Sequence, residues 1–248
     1  MQDQKQIDAL YRQQRWRVRL AITLGYGLIY TCRLAIGLTQ PSMIGAGIFT
    51  PAEFGLIGSA LFYTYALGKL TNGFLADHAN IRVFLPFGFI VSAFCNFGMG
   101  FADTLLLAVV LWGVNGWFQG FGAPGSVVAI TSWFSNRERG RVYGLWNTSH
   151  AIGEGLTFFV IGWVVATFGW RFGFFVPAMI GVFTAGLMWS LVRDRPRTMG
   201  LPKVADWKDD HLPESEGSQS KSTVALQFSI LRNPVIIILG LSSAANYV

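Results

Sequence analysis

Tyr26-Gly-Leu-Ile-Tyr30-Thr-Cys-Arg33 lies inside the first long apolar run of the chain, and apart from Arg33 no charged residue occurs between Ala21 and Gly47. A run of that length is enough to cross the ~30 Å hydrocarbon core of a bilayer, which takes about 20 helical residues. A cation within such a span is costly, by ~3 kcal/mol on insertion scales, and arginine does not escape by losing its proton. Helical spacing of i, i+4, i+7 puts Tyr26, Tyr30 and Arg33 on one face. A charge held in apolar surroundings beside two phenols points to a site for an anion.

The bulk of the chain agrees with a membrane setting. It is 52% hydrophobic and 13% charged, against ~25% charged for a soluble domain. Its 29 glycines and 21 phenylalanines fit closely packed membrane helices. The net charge of +6 is confined to short stretches, which suggests basic loops and not nucleic-acid binding. Cys32 and Cys95 both fall in apolar runs, so no disulfide framework is expected. With a polar, basic N-terminus, no cleavable signal is expected.

Six apolar runs of spanning length are expected, at roughly 18–38, 54–76, 83–102, 105–133, 142–166 and 171–192. They leave an N-terminal segment 1–17, a six-helix bundle 18–192, a linker 193–229 and the start of a seventh span at 230–248. Residues 203–222 are rich in Asp, Glu, Ser, Lys and Gly and read as a solvated linker. Basic residues set the orientation. Lys5, Arg12, Arg15, Arg17 and Arg19 precede the first span; Arg82, then Arg137, Arg139 and Arg141, occupy even-numbered loops, and seven more follow the sixth span. Only Arg171 lies in an odd-numbered loop, so the N-terminus, the even loops and the linker are expected in the cytoplasm. Arg33 and Lys69 are left inside spans.

Gly73-Phe-Leu-Ala-Asp77-His-Ala-Asn-Ile-Arg82, between the second and third spans, resembles the loop signature of the major facilitator superfamily, with Asn80 where many members have glycine. Trp133-Phe-Ser-Asn-Arg-Glu-Arg-Gly140, Trp146-Asn-Thr-Ser-His150, Lys69-Leu-Thr-Asn-Gly73 and Asn115-Gly-Trp-Phe-Gln-Gly120 extend the likeness. Together they look like the organophosphate:phosphate antiporter family, whose members carry glycerol-3-phosphate or hexose phosphates, or sense them. The likeness implies an all-α integral membrane fold: the N-terminal six-helix bundle of a twelve-span transporter, plus a linker and the start of a seventh helix. It also implies a multi-pass location in the inner membrane, exchange of an organophosphate for inorganic phosphate, and a C-terminal half that completes the site. In the gating loop, which ends at Arg82, Gly73 would let two helices approach closely and Asp77 would cap or pair at the cytoplasmic face.

By the same likeness the family's phosphate-gripping arginine falls on Arg33, its aromatic neighbours on Tyr26 and Tyr30, its second-span lysine on Lys69 one turn beyond Tyr65, and its fifth-span histidine on His150. Helical spacing independently groups Tyr65, Lys69 and Asn72 on one face, and Asn147, His150 and Glu154 on another. Intramembrane ionisable groups usually face a bundle interior or cavity, so the faces of the first, second and fifth spans can converge. A phosphate monoester carries nearly two negative charges at neutral pH, which a guanidinium meets with a planar fork and an ammonium as a point charge. Quieter roles stay open: Lys69 can snorkel to the interface, and His150 and the three tyrosines can simply pack.

Glu154 departs from the family pattern, which has a small residue there. It can pair with Arg33 or Lys69 in the empty site, stay protonated, or relay protons with His150. Transport of a sugar or glycerol phosphate by alternating access is therefore the leading expectation. A hexose-phosphate sensor signalling to a membrane kinase, and a proton-coupled carrier of another organic anion, are the alternatives. Gly120-Phe-Gly-Ala-Pro-Gly125 follows an apolar span instead of a strand, so it is not a nucleotide loop; Gly116 and Gly120 read as a close-packing pair. No metal-ligand or nucleophile constellation appears, and neither a cofactor nor enzymatic activity is expected.

Overall fold

The computed structural model describes residues 2–210, 233–235, 237 and 238. The chain divides into two compact units, Met1–Asp210 and His211–Val248. Regular structure among the described residues is entirely helical. The first unit contains α1 Gln2–Ile29, α2 Thr31–Gly45, α3 Pro51–His78, α4 Ile81–Met99, α5 Leu105–Gln119, α6 Gly122–Trp133, α7 Asn136–Phe168, α8 Phe172–Leu191 and α9 Val204–Lys208, with a 3-10 turn over Pro196–Met199.

Five segments, Gln4–Gly45, Ile81–Met99, Leu105–Trp133, Asn136–Phe168 and Phe172–Leu191, are long and apolar enough to cross a membrane. The first and fourth expected spans are not single rods: the first breaks at Tyr30, between α1 and α2, and the fourth at Gly120–Phe121, between α5 and α6. The second expected span, 54–76, falls on α3. Its 28 residues reach ~42 Å at 1.5 Å per residue, but Thr64, Lys69, Thr71 and Asn72 leave it less apolar than the others.

Local signals start and stop these helices. Thr50 and Glu53 form a capping box ahead of α3, with Pro51 in its first turn, and Asn80 caps α4 by accepting from Arg82 N at 3.0 Å. Asn80 thus has a use of its own where the family signature prefers glycine. α3 packs on α5, α4 on α8 and α5, and α1 on α7 and α8. A Cβ on Gly116 would come within 2.4 Å of the Leu61 carbonyl oxygen, and one on Gly120 within 2.9 Å of the Gly68 backbone; this pair does hold α3 and α5 in backbone contact. A Cβ built on Gly73 meets nothing within 4 Å in this unit.

One end of the bundle gathers the basic residues. There Asp194 accepts from Ile81 N at 3.0 Å, Trp133 Nε1 donates to the Asp194 carbonyl at 2.6 Å, and Arg195 donates to the carbonyls of Asp77 and Ala79 at 2.6 and 3.0 Å. Arg82 lies over the Trp189 ring at 5.4 Å. The segment after the sixth span is therefore not wholly solvated. Trp207 of α9 stacks on Tyr11 at 4.1 Å and bonds Asp8 at 2.6 Å, because an indole and a phenol reward docking where Ser, Glu and Lys do not. The remainder of the expected linker, 211–229, lies outside the described residues. In the second unit Asn233 accepts from Val235 N at 3.0 Å and from Ile237 N at 3.1 Å, opening a helical turn at the expected seventh span. Residues 239–248 of that span are outside the described part.

The buried apolar residues form two clusters. One, toward the basic end, includes Tyr11, Ile22, Tyr26, Phe84, Phe89, Trp133, Trp146 and Met188. The other, toward the opposite end, includes Met43, Phe54, Ile57, Trp112 and Phe174. Between them in chain order along α4 and α5 sits a buried polar layer, Ser92, Asn96, Asn115 and Gln119.

Candidate substrate site at the broken first span

The polar layer explains why the first span breaks where it does. In an uninterrupted helix the Ile29 carbonyl would accept from Arg33 N. Instead Arg33 N bonds the Tyr30 carbonyl at 3.0 Å, and Tyr30 N the Gly27 carbonyl at 3.3 Å. A carbonyl left open in an apolar bundle needs another donor. Gln119 Nε2 supplies it to Ile29 at 3.4 Å, while Asn96 and Asn115 donate to the Cys32 carbonyl at 2.9 and 3.1 Å. Ser92 links the donors, giving a hydrogen bond to Asn115 at 2.6 Å and taking one from Gln119 at 2.7 Å. Arg33 thus stands in the first turn of a helix whose start is fixed by side chains from α4 and α5.

Close packing of α1 on α7 brings the aromatic groups in. A Cβ on Gly153 would lie 2.1 Å from the Gly27 carbonyl oxygen, so only glycine permits this approach. Across it, Tyr26 meets Tyr30 at 5.5 Å and Trp146 at 4.7 Å between ring centroids, and Tyr30 meets His150 at 5.7 Å.

The Arg33 guanidinium lies over the Tyr65 ring at 3.7 Å and the Tyr30 ring at 5.4 Å. Its hydrogen bond runs to the Tyr30 hydroxyl at 3.4 Å. The Lys69 ammonium approaches the same Tyr65 ring at 4.7 Å. Two cations therefore share one aromatic ring, and among the described residues neither is in an ion pair. Cation–π contact compensates part of the desolvation, by about 0.5–2 kcal/mol per contact. It leaves most of the N–H donors of a guanidinium without a carboxylate or carbonyl.

Tyr26, Tyr30, Arg33, Tyr65, Lys69 and His150 therefore form one connected group. Three neighbours grouped with them by helical spacing do not join it. Asn72 is fully buried and donates to the Trp117 carbonyl at 3.1 Å, facing α5. Asn147 is exposed. Glu154, one turn beyond His150 and half-buried, makes no salt bridge to Arg33 or Lys69 among the described residues. Sequence reasoning missed two components. Trp146, buried at 3% exposure with its Nε1 unpartnered, lies one turn before His150, a spacing that offered a signal. The polar layer offered none, since single Ser, Asn and Gln residues in apolar runs do not reveal which carbonyl they meet.

The sequence profile of the Major Facilitator Superfamily matches residues 22–248. The chain is 34% identical over 249 residues to the membrane sensor protein UhpC of Salmonella typhimurium, a match covering 99% of this chain and 56% of that protein. It is 32% identical over 258 residues to a probable hexose phosphate transport protein of Chlamydia trachomatis, covering 99% of this chain and 57% of the relative. The chain spans about half the length of the curated relatives it matches. Among solved structures, the proton:xylose symporter XylE superposes with a TM-score of 0.65 at 15% identity, over 75% of this chain and 46% of that one, a likeness of fold alone.

Proposed function

The chain belongs to the Major Facilitator Superfamily and is part of a multi-pass membrane protein; from that we propose that it carries an organophosphate across the inner membrane, exchanging it for inorganic phosphate. The observation that carries this reading is the pair of cations, Arg33 and Lys69, both against the Tyr65 ring and without a carboxylate partner among the described residues. A phosphate monoester is complementary to that arrangement. Its oxygens accept a fork of N–H bonds from Arg33, Lys69 adds a mobile charge, and Tyr26, Tyr30, Tyr65 and His150 shape the walls by hydrogen bonding and stacking. The basic end is assigned to the cytoplasm by the positive-inside rule, and a second half of the transporter would close the site and rock around it. No catalytic step is part of this reading.

Hexose phosphates and glycerol-3-phosphate are the first ligands to test, by binding and by counterflow in proteoliposomes. With Arg33→Ala both are expected to disappear; wild-type binding by that variant would refute the assignment.

A sensor is the second reading, favoured by the 34% identity to a membrane sensor protein. It uses the same pocket, so the discriminating measurement is flux. Saturable binding of glucose 6-phosphate without counterflow would favour a sensor that passes its signal to a membrane kinase.

A further inference from the structure

Away from that pocket, three arginines of α1 line a groove of about 340 Å³ together with Trp16 and Phe134. Arg12, Arg15 and Arg19 follow i, i+3, i+7 spacing, which aligns them on one helical face. Arg15 is already engaged, with Glu138 at 2.6 Å and the Phe134 ring at 4.8 Å beneath it. Arg19 lies over the Trp16 ring at 4.6 Å. Neither Arg12 nor Arg19 is in an ion pair among the described residues, so the groove holds three guanidinium groups against one carboxylate.

Its position gives the excess charge a meaning. Arg19 immediately precedes the apolar run, and Leu20 and Leu24 continue down the helix exposed, at 36% and 46%. Trp16 is 56% exposed, where tryptophan favours the membrane–water boundary. Arg12 and Arg19 are ~10 Å apart along the axis at 1.5 Å per residue, comparable to the ~5–8 Å headgroup layer on each side of a bilayer. A soluble anion would use the arginines but gain nothing from indole and leucine; a phospholipid uses both.

We propose that this groove binds the headgroup phosphate of an anionic phospholipid in the adjoining leaflet, with an acyl chain along Trp16, Leu20 and Leu24. Arg12 and Arg19 supply the unneutralised charge, and Arg15, held by Glu138, forms the floor.

The test is native mass spectrometry of the delipidated protein titrated with phosphatidylglycerol or phosphatidylcholine, with and without millimolar inorganic phosphate. One retained phosphatidylglycerol is expected, with no equivalent for phosphatidylcholine and no displacement by phosphate. Arg12→Gln with Arg19→Gln should weaken retention about 25-fold, roughly fivefold per arginine, while Arg12→Lys with Arg19→Lys should keep most of it. Should the double glutamine variant fold poorly, Arg12→Gln alone is read for its fivefold share. Unchanged retention in the glutamine variants, equal retention of phosphatidylcholine, or displacement by inorganic phosphate would each overturn the proposal.

Discussion

Arg33 and Arg195 carry the same side chain in opposite surroundings. Arg195, at the basic end, is enclosed by acceptors: the carbonyls of Ala76, Asp77 and Ala79 and the carboxylate of Asp194. Arg33, at mid-span, has ring faces and phenol oxygens but no carboxylate among the described residues. Arg195 fastens the end of α3 to the segment after α8, and its donors are spent on the protein. Arg33 leaves donors unspent in apolar surroundings, where they gain most from an arriving anion. The difference separates an arginine that builds the fold from one that awaits a ligand.

The reciprocal pair of substitutions is the strongest way to break this contrast. Arg33→Gln should weaken organophosphate binding by about 2–5 kcal/mol, the scale for losing one partner of a buried charge pair, with thermal stability held or raised. Arg195→Gln should do the reverse. It should lose about 2 kcal/mol of stability, as bonds from a charged donor are removed, and leave affinity within about twofold, because distant sites add independently. Equal loss of affinity in both variants would erase the distinction.

The polar layer should stand between these extremes. Gln119→Leu removes the donor to Ile29 and so the constraint that starts α2 at its present angle. Affinity should fall about fivefold, with about 2 kcal/mol lost in stability for the two buried hydrogen bonds to Ile29 and Ser92. A loss of stability without loss of affinity would mean that the layer supports the bundle but does not aim Arg33. Lys69 is exposed, so Lys69→Gln should cost only about 0.5–1 kcal/mol of binding, the range for a screened charge, seen as a two- to fivefold rise in Kd.

The smallest effect is a pH dependence at the basic end. Glu138 lies in the first turn of α7, before its apolar stretch. Burial pushes its carboxyl up, but the hydrogen bond and charge of Arg15, with hydrogen bonds from Ser135, more than offset this and leave it below its ordinary value. A lowered carboxyl stabilises the folded state above its unfolded value of about 4.3, and that contribution fades as pH falls through the lower folded value. Glu138→Gln should therefore flatten the loss of stability on acidification below about pH 4.3, by no more than about 1 kcal/mol for a partly exposed pair. Thermal melts from pH 6 to pH 3 measure it, and Arg33→Gln should not alter that slope.

Much of the site was legible one helix at a time. Period-3.6 spacing put Tyr65 with Lys69 because both project from the regular helix α3, and it put Tyr26 and Tyr30 with Arg33 although the helix breaks at Tyr30. It failed for Asn72, on the same pattern as Lys69 but turned into α5, since spacing gives a face without saying what lies opposite. The loop signature gave Gly73 a packing role that meets no neighbour in this unit, and composition left Trp207 in a solvated linker.

By itself the sequence determined the membrane class, the long apolar runs, the basic end and the placing of Arg33 and Lys69 apart from the other basic residues. Those properties depend on composition and on contacts a few residues apart. Only the tertiary structure decided that the first span breaks at Tyr30, that Gln119, Asn96 and Asn115 satisfy the carbonyls around the break, and that Gly27 and Gly153 touch so that Tyr30 reaches His150. The contacts that hold the break and bring Tyr30 to His150 join residues at least 64 positions apart. Such pairings follow from which helix packs beside which, and nothing in a local stretch of sequence encodes that choice.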